Sequence, residues 1–218
     1  MSVGWLIILL LLSQHPGAQP DFQIINSYTT KDGLSSNVIY CMIRDSRGFL
    51  WIGTKEGLNR FDGFQFKKYF SEKNTPGSLP HDNIIDILEY KPGHLLIATG
   101  SGLAILNTLT GQFENEKIEF APIRAGSGTA ITSIYKDKKG NIWTNHDGEL
   151  DVLDSNLVYT GRFTDLDWAK PLKGVFVRYE HWYGDNQGRL WLPSDSSGIH
   201  IIDMNAKQVF NSHYKGMP

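Results

Sequence analysis

One pattern recurs four times along this chain, and it limits the possible folds more than any composition does. Aligning DSRGFLWIGT (Asp45 to Thr54), YKPGHLLIAT (Tyr90 to Thr99), DKKGNIWTN (Asp137 to Asn145) and DNQGRLWLPS (Asp185 to Ser194) places Gly48, Gly93, Gly140 and Gly188 in register, 45 to 48 residues apart. Trp51, Leu96, Trp143 and Trp191 follow those glycines, and a second glycine comes after each of them, at Gly57, Gly102, Gly148 and Gly198. An apolar stretch then ends at Asp62, Asn107, Asp154 and Asp203. A period of this length marks a supersecondary unit that cannot bury its faces alone and must stack on its neighbours.

Each copy reads as four strands. An apolar strand (Val38 to Ile43, Ile84 to Leu88, Ile131 to Tyr135, Tyr179 to Tyr183) runs into a turn whose glycine takes positive φ at little cost. The tryptophan strand comes next. A second turn feeds the third strand, and a tight turn such as Asp62-Gly63 starts an outer, more polar strand: Phe64 to Tyr69, Gln112 to Glu116, Val158 to Phe163 and Gln208 to Tyr214. Four-stranded units at this period are the signature of β-propeller blades. The expected fold is therefore all-β, with blades near 38–70, 84–116, 131–163 and 179–214, as part of a larger propeller. Trp51, Trp143 and Trp191 are expected to fill the gaps between neighbouring blades.

The rest of the composition mainly excludes. With 21 basic and 23 acidic side chains and a net charge of -2, the chain lacks the cationic surface that neutralises phosphates, so nucleic acid is not an expected partner. A single cysteine, Cys41, rules out an internal disulfide and sits in an apolar run as a small hydrophobe. The seven histidines show no metal-ligand spacing, and the two GSG stretches lack a strand-to-helix context, so no metal and no cofactor is expected. At the amino end, WLIILLLL followed by SQHPGAQP resembles a secretory signal peptide over residues 1–19, which makes the body 20–218 an exported one.

Tyr28 to Tyr69, YTTKDGLSSNVIYCMIRDSRGFLWIGTKEGLNRFDGFQFKKY, resembles the two-component regulator propeller repeat found at the amino end of hybrid two-component system sensors of Bacteroidetes-type bacteria. NTPGSLPHDNIIDI, Asn74 to Ile87, is similar to the linker that precedes each blade in that family. The resemblance implies a periplasmic sensor whose propellers are followed by a β-sandwich, a membrane span and a histidine kinase, and whose inputs are oligosaccharides. It also implies that catalysis belongs to other parts of such a protein, with the remainder of the sensor and a second copy as partners. The FQIINSY stretch, Phe22 to Tyr28, looks like an outer strand of the kind that completes a last blade.

Two other function classes stay open from the residues: a secreted protein-interaction propeller, and a propeller glycosidase or lyase. The second needs paired free carboxylates. Asp45, Asp62, Asp137, Asp154, Asp185 and Asp203 all fall at repeated turn positions, where Asp bonds its own backbone. The least repetitive stretch, Thr164 to Asp185, gathers aromatic and charged side chains suited to a sugar, and Trp168, Arg178, Glu180, His181 and Trp182 are the candidate ligand contacts.

Overall fold

The computed structural model describes residues 26–73, 75, 77–115, 123, 128–172, 182–194 and 198–211. They form four four-stranded antiparallel sheets, each a simple meander in which sequential strands pair. The first sheet holds β1 (Ile39–Arg44), β2 (Leu50–Thr54), β3 (Gly57–Phe61) and β4 (Phe66–Tyr69). The second holds β5 (Ile84–Lys91), β6 (His94–Thr99), β7 (Gly102–Asn107) and β8 (Gln112–Phe113). β9 (Ser133–Lys136), β10 (Ile142–His146), β11 (Glu149–Leu153) and β12 (Tyr159–Arg162) form the third, and β13 (Tyr183–Gly184), β14 (Arg189–Ser194), β15 (Gly198–Asp203) and β16 (Gln208–Asn211) the fourth. The all-β propeller class is as expected. Residues 179–181 of the fourth inner strand and 22–25 of FQIINSY lie outside the described residues, while Asn26, Ser27 and Tyr28 are not in a strand. The outer strand expected from Gln112 to Glu116 pairs only over Gln112–Phe113.

Hydrophobic seams join consecutive blades. Between blades one and two, Trp51 and Leu58 meet Ile84, Ile87, Leu95 and Ile97. Between two and three, Leu96 and Ile105 meet Ile131, Ile134 and Ile142. Trp143 and Leu150 meet Leu190, Leu192 and Ile202 between three and four. Blade two is covered on both faces, which is why β6 reads as an unbroken apolar run rather than an alternation. Trp51 and Trp143 are buried at 0% and 1% exposure, filling their seams as expected. Trp191 is only half-buried, since no fifth sheet lies against it among the described residues.

The turn aspartates do more than close turns. In blade one, Asp45 Oδ1 accepts the backbone N–H groups of Arg47 (3.0 Å) and Phe49 (2.9 Å), while Oδ2 accepts the Trp51 indole N–H at 2.8 Å. The same triad recurs in blade three, where Asp137 takes Lys139, Asn141 and the Trp143 indole (3.1 Å), and in blade four, where Asp185 takes Gln187, Arg189 and the Trp191 indole (3.0 Å). Blade two has Tyr90 in place of the aspartate and Leu96 in place of the tryptophan. Both members of the pair are missing together, as expected if a buried indole N–H in the seam requires its acceptor.

The structure corrects one register. Gly148 does not occupy the position of Gly57, because Thr54 pairs with Gly57 whereas His146 pairs with Glu149. The two hairpins have the same length, but in blade three the glycine comes one position earlier, so that Asp147 (φ 48°) and Gly148 (φ 76°) form both central residues of a type I′ turn. Gly53 carries a constraint of a different kind: a Cβ there would stand 2.7 Å from Ile84 Cγ2 and against Cys41 Sγ, so the first seam closes only without one.

Three outcomes test this packing. In a double-mutant cycle followed by urea unfolding, Asp45→Ala and Trp51→Phe are each destabilising, and their coupling is about 1 kcal/mol or more; additivity within a few tenths would contradict the pairing. Burial, reinforced by the Asp86 carboxylate, pushes the Cys41 thiol up to about 12, so iodoacetamide at pH 8 should leave Cys41 unmodified in the folded chain and label it fully in urea. For Asp185, burial is outweighed by hydrogen bonds from the Trp191 indole, the Arg189 backbone and guanidinium and the Gln187 backbone, and its carboxyl is held well below its ordinary range. Its contribution is therefore present above that ordinary range and lost as pH falls through the depressed value. Asp185→Asn should lower stability at pH 7 and flatten its decline on acidification; an unchanged acid profile would argue against the assignment.

Candidate functional site

The segment expected to contact a ligand follows β12 and leads to blade four. It begins as two short 3-10 turns, Phe163–Asp165 and Asp167–Leu172. Trp168 lies in the second, half-buried, with its ring edge-on to Phe163 (4.9 Å between centroids, 89°). Phe163 in turn meets Trp143 at 4.8 Å. Trp182 packs on the same cluster, and its indole nitrogen is buried without a hydrogen-bond partner among the described residues. The structure thus brings Trp168 and Trp182 to one cluster at the third seam. Arg178, Glu180 and His181 lie outside the described residues. The partial burial of Trp168 gives it a packing role that the sequence pattern did not reveal, since it lies outside the repeated strands.

A polar network that the sequence reading missed anchors this segment. Asp151, fully buried on β11, accepts hydrogen bonds from Tyr159 Oη (3.2 Å) and Arg162 Nε (3.3 Å), and its Oδ2 lies 2.6 Å from His146 Nε2. Glu149 Oε2 accepts the hydroxyl of Thr164 at 2.6 Å and lies 3.8 Å from Arg162 Nε. Thr164 is itself fully buried in the first 3-10 turn. The network therefore ties β10, β11 and β12 to the start of the segment that carries Trp168. Burial and then the Asp151 carboxylate push the Tyr159 phenol up to about 12, which keeps it a donor at neutral pH. Asp151 shares its third-strand register with Asn59, Ala104 and His200. Asn59 bonds Ser35, and His200 bonds Asn211, so three of the four blades bury a polar side chain at this position. The periodic alignment does mark this position, since Asn59, Ala104 and Asp151 each fall eight residues after Trp51, Leu96 and Trp143.

The chemistry of the carboxylates is that of turns and anchors. Asp62 accepts the N–H groups of Phe64 and Gln65, Asp154 those of Asn156 and Val158, and Asp203 those of Asn205 and Ala206. Asp45, Asp137 and Asp185 serve their turns and their indoles. Among the described residues no group of three or more metal-ligating side chains converges, and no helix is long and apolar enough to cross a membrane.

Comparisons with known proteins agree with this architecture. Residues 33–56 match the model of the two component regulator propeller family. A histidine kinase P4 of Formosa agariphila is 37% identical over 76 residues, covering 35% of this chain. The chain spans only 5% of that relative's length. The extracellular domain of a protein described as a hybrid two component system from B. thetaiotaomicron superposes with a TM-score of 0.69 at 22% identity, covering 88% of this chain and 26% of that one. A virginiamycin B lyase from Staphylococcus aureus shares the propeller fold at a TM-score of 0.57 and 14% identity, over 82% of this chain and 56% of that one. Residues 33–56 thus carry a repeat that matches the two component regulator propeller family, a stretch of 76 residues is similar in sequence to a histidine kinase, and the fold is that of a β-propeller.

Proposed function

We propose that this propeller is the ligand-sensing, extracytoplasmic part of a hybrid two-component sensor. It recognises an oligosaccharide and passes a change in blade packing or in dimer geometry to a membrane histidine kinase that the rest of the sensor supplies. The observation that carries the reading is the propeller repeat at residues 33–56 together with sequence kinship to a histidine kinase. The apolar amino-terminal stretch supports export to the periplasm.

For the ligand contact we favour the segment after β12. Trp168 presents part of a large ring beside a cluster held rigid by Phe163 and Trp143, and an aromatic face on a fixed support suits the C–H surface of a sugar ring. Lys170, paired with Asp167 at 2.6 Å and exposed, adds polar groups next to it. Arg178, Glu180, His181 and Trp182 complete the proposed contact set.

A panel of oligosaccharides titrated calorimetrically into the chain tests this reading. One saccharide class should bind without turnover, and Trp168→Ala should weaken that binding about tenfold or more. Because Trp168 also packs, Trp168→Phe serves as the control and should keep the unfolding midpoint near that of the parent. Hydrolysis or elimination of any member of the panel would move the assignment to an enzyme, and full affinity in a folded Trp168→Ala chain would remove Trp168 from the site.

A further inference from the structure

The three seams carry the same register position on the inner strand of the following blade, four residues before the turn glycine: Glu89, Lys136 and Gly184. In the first two seams this side chain reaches back to the turn of the preceding blade. The Glu89 carboxylate accepts the backbone N–H of Ser46 at 2.7 Å, its hydroxyl at 2.8 Å and the N–H of Gly93 at 3.0 Å. Lys136 Nζ donates to the carbonyl oxygen of Tyr90 at 2.6 Å. Among the described residues the third seam has no such bridge from this position, because Gly184 has no side chain. There a cleft of about 160 Å³ opens between the turns of blades three and four, lined by Tyr135, Lys138, Lys139 and Asn141 on one side and Arg189 and Asn205 on the other.

From this comparison we propose that the cleft is a binding site for a small carboxylate ligand, which bridges blades three and four as Glu89 bridges blades one and two. The donors match. Lys138 stands where Ser46 stands in blade one, directly after the turn aspartate, and its backbone N–H has no partner among the described residues. The ammonium groups of Lys138 and Lys139 lie on the exposed rim, and no carboxylate pairs with either among the described residues. Asp137 and Asp185 also line the cleft, yet their oxygens are engaged by the backbone, by the Trp143 and Trp191 indoles, and in Asp185 by Arg189 Nε at 2.6 Å. Two lysines and one arginine against two aspartates leave the lining cationic by one charge. A site of this volume holds a carboxylate with a few further heavy atoms.

Tyr135 supplies a second device. Its ring lies against the Cα of Gly184, where a Cβ would come within 2.9 Å of Cζ, so the glycine is what admits the phenol to the cleft. Burial, followed by Asp137, Asp185 and Tyr183, pushes the pKa of that phenol up, so it stays protonated as a donor. The counterpart of Tyr135 in the first seam is Ile43, so the chain holds two versions of one joint: isoleucine with a built-in carboxylate, and tyrosine with a glycine.

This site is separate from the Trp168 segment and does not depend on the identity of any sugar, so the two readings stand or fall apart. The test is an amide NMR titration of the full chain with sodium acetate and sodium glucuronate, against sodium chloride and glucose at matched ionic strength. Saturable shifts at Lys138, Gly184 and the turn of blade three with both carboxylates, absent with chloride and glucose, are expected. The double variant Tyr135→Ile/Gly184→Glu rebuilds the first seam in the third and should abolish the titration. Lys138→Pro is a second route, since proline suits the second residue of such a turn and removes both the N–H and the Lys138 ammonium; the remaining cleft shifts should then saturate at about tenfold or higher ligand concentration. Shifts spread over the surface without saturation, equal shifts with chloride, or an undiminished titration in both folded variants would overturn the proposal.

Discussion

The hydrogen bond from a tryptophan indole to a turn aspartate six residues earlier is the interaction on which the seams depend. Each blade must present a large apolar surface to the next, and tryptophan provides it, but its N–H then enters a region without water. The turn that precedes the strand already needs a carboxylate to hold its own backbone, and the second oxygen of that carboxylate is free to accept the indole. One aspartate thus fixes the turn, satisfies the buried donor and sets the ring angle in the seam. Blade two shows the alternative, an all-aliphatic seam in which Leu96 needs no acceptor and Tyr90 replaces the carboxylate.

Much of this was legible in the sequence because it is periodic. Glycine, tryptophan and aspartate recur at fixed offsets, so the strands, the turns and the inter-blade placement of Trp51 and Trp143 follow from alignment alone. What was not legible lies where the period breaks or where a contact is made across it. Asp151 is in register with Asn59, but its partners Tyr159 and Arg162, and Thr164 beyond them, belong to blade three alone, so the period does not encode the buried network around them. The closeness of Gly53 to Cys41 and Ile84 depends on how near two sheets approach, which no local pattern encodes. Aspartate was read as bonding its own backbone, which is half of its role. Of the five candidate contacts, Trp168 and Trp182 proved to share one cluster, since both pack on the third seam.

The seams also differ in a way that bears on the proposed signalling. Glu89 and Lys136 lock the first two joints with charged side chains, whereas the third relies on Trp143, Phe163 and the leucines of blade four. The segment with Trp168 and the cleft beside Gly184 both adjoin that third joint. A ligand bound at either of the proposed places would act where the cross-seam side-chain bonds among the described residues are fewest, and would shift two blades at the smallest cost in those interactions.

The most direct test of the account is hydrogen exchange at the indole N–H groups, read by NMR at pH 7. If the aspartate bonds and the seams are as described, the Trp51 and Trp143 indole protons exchange orders of magnitude more slowly than those of free tryptophan, and the half-buried Trp191 exchanges faster than either. Rapid exchange at Trp51 and Trp143, at rates close to those of the free amino acid, would contradict the central claim that these pairs hold the blades together.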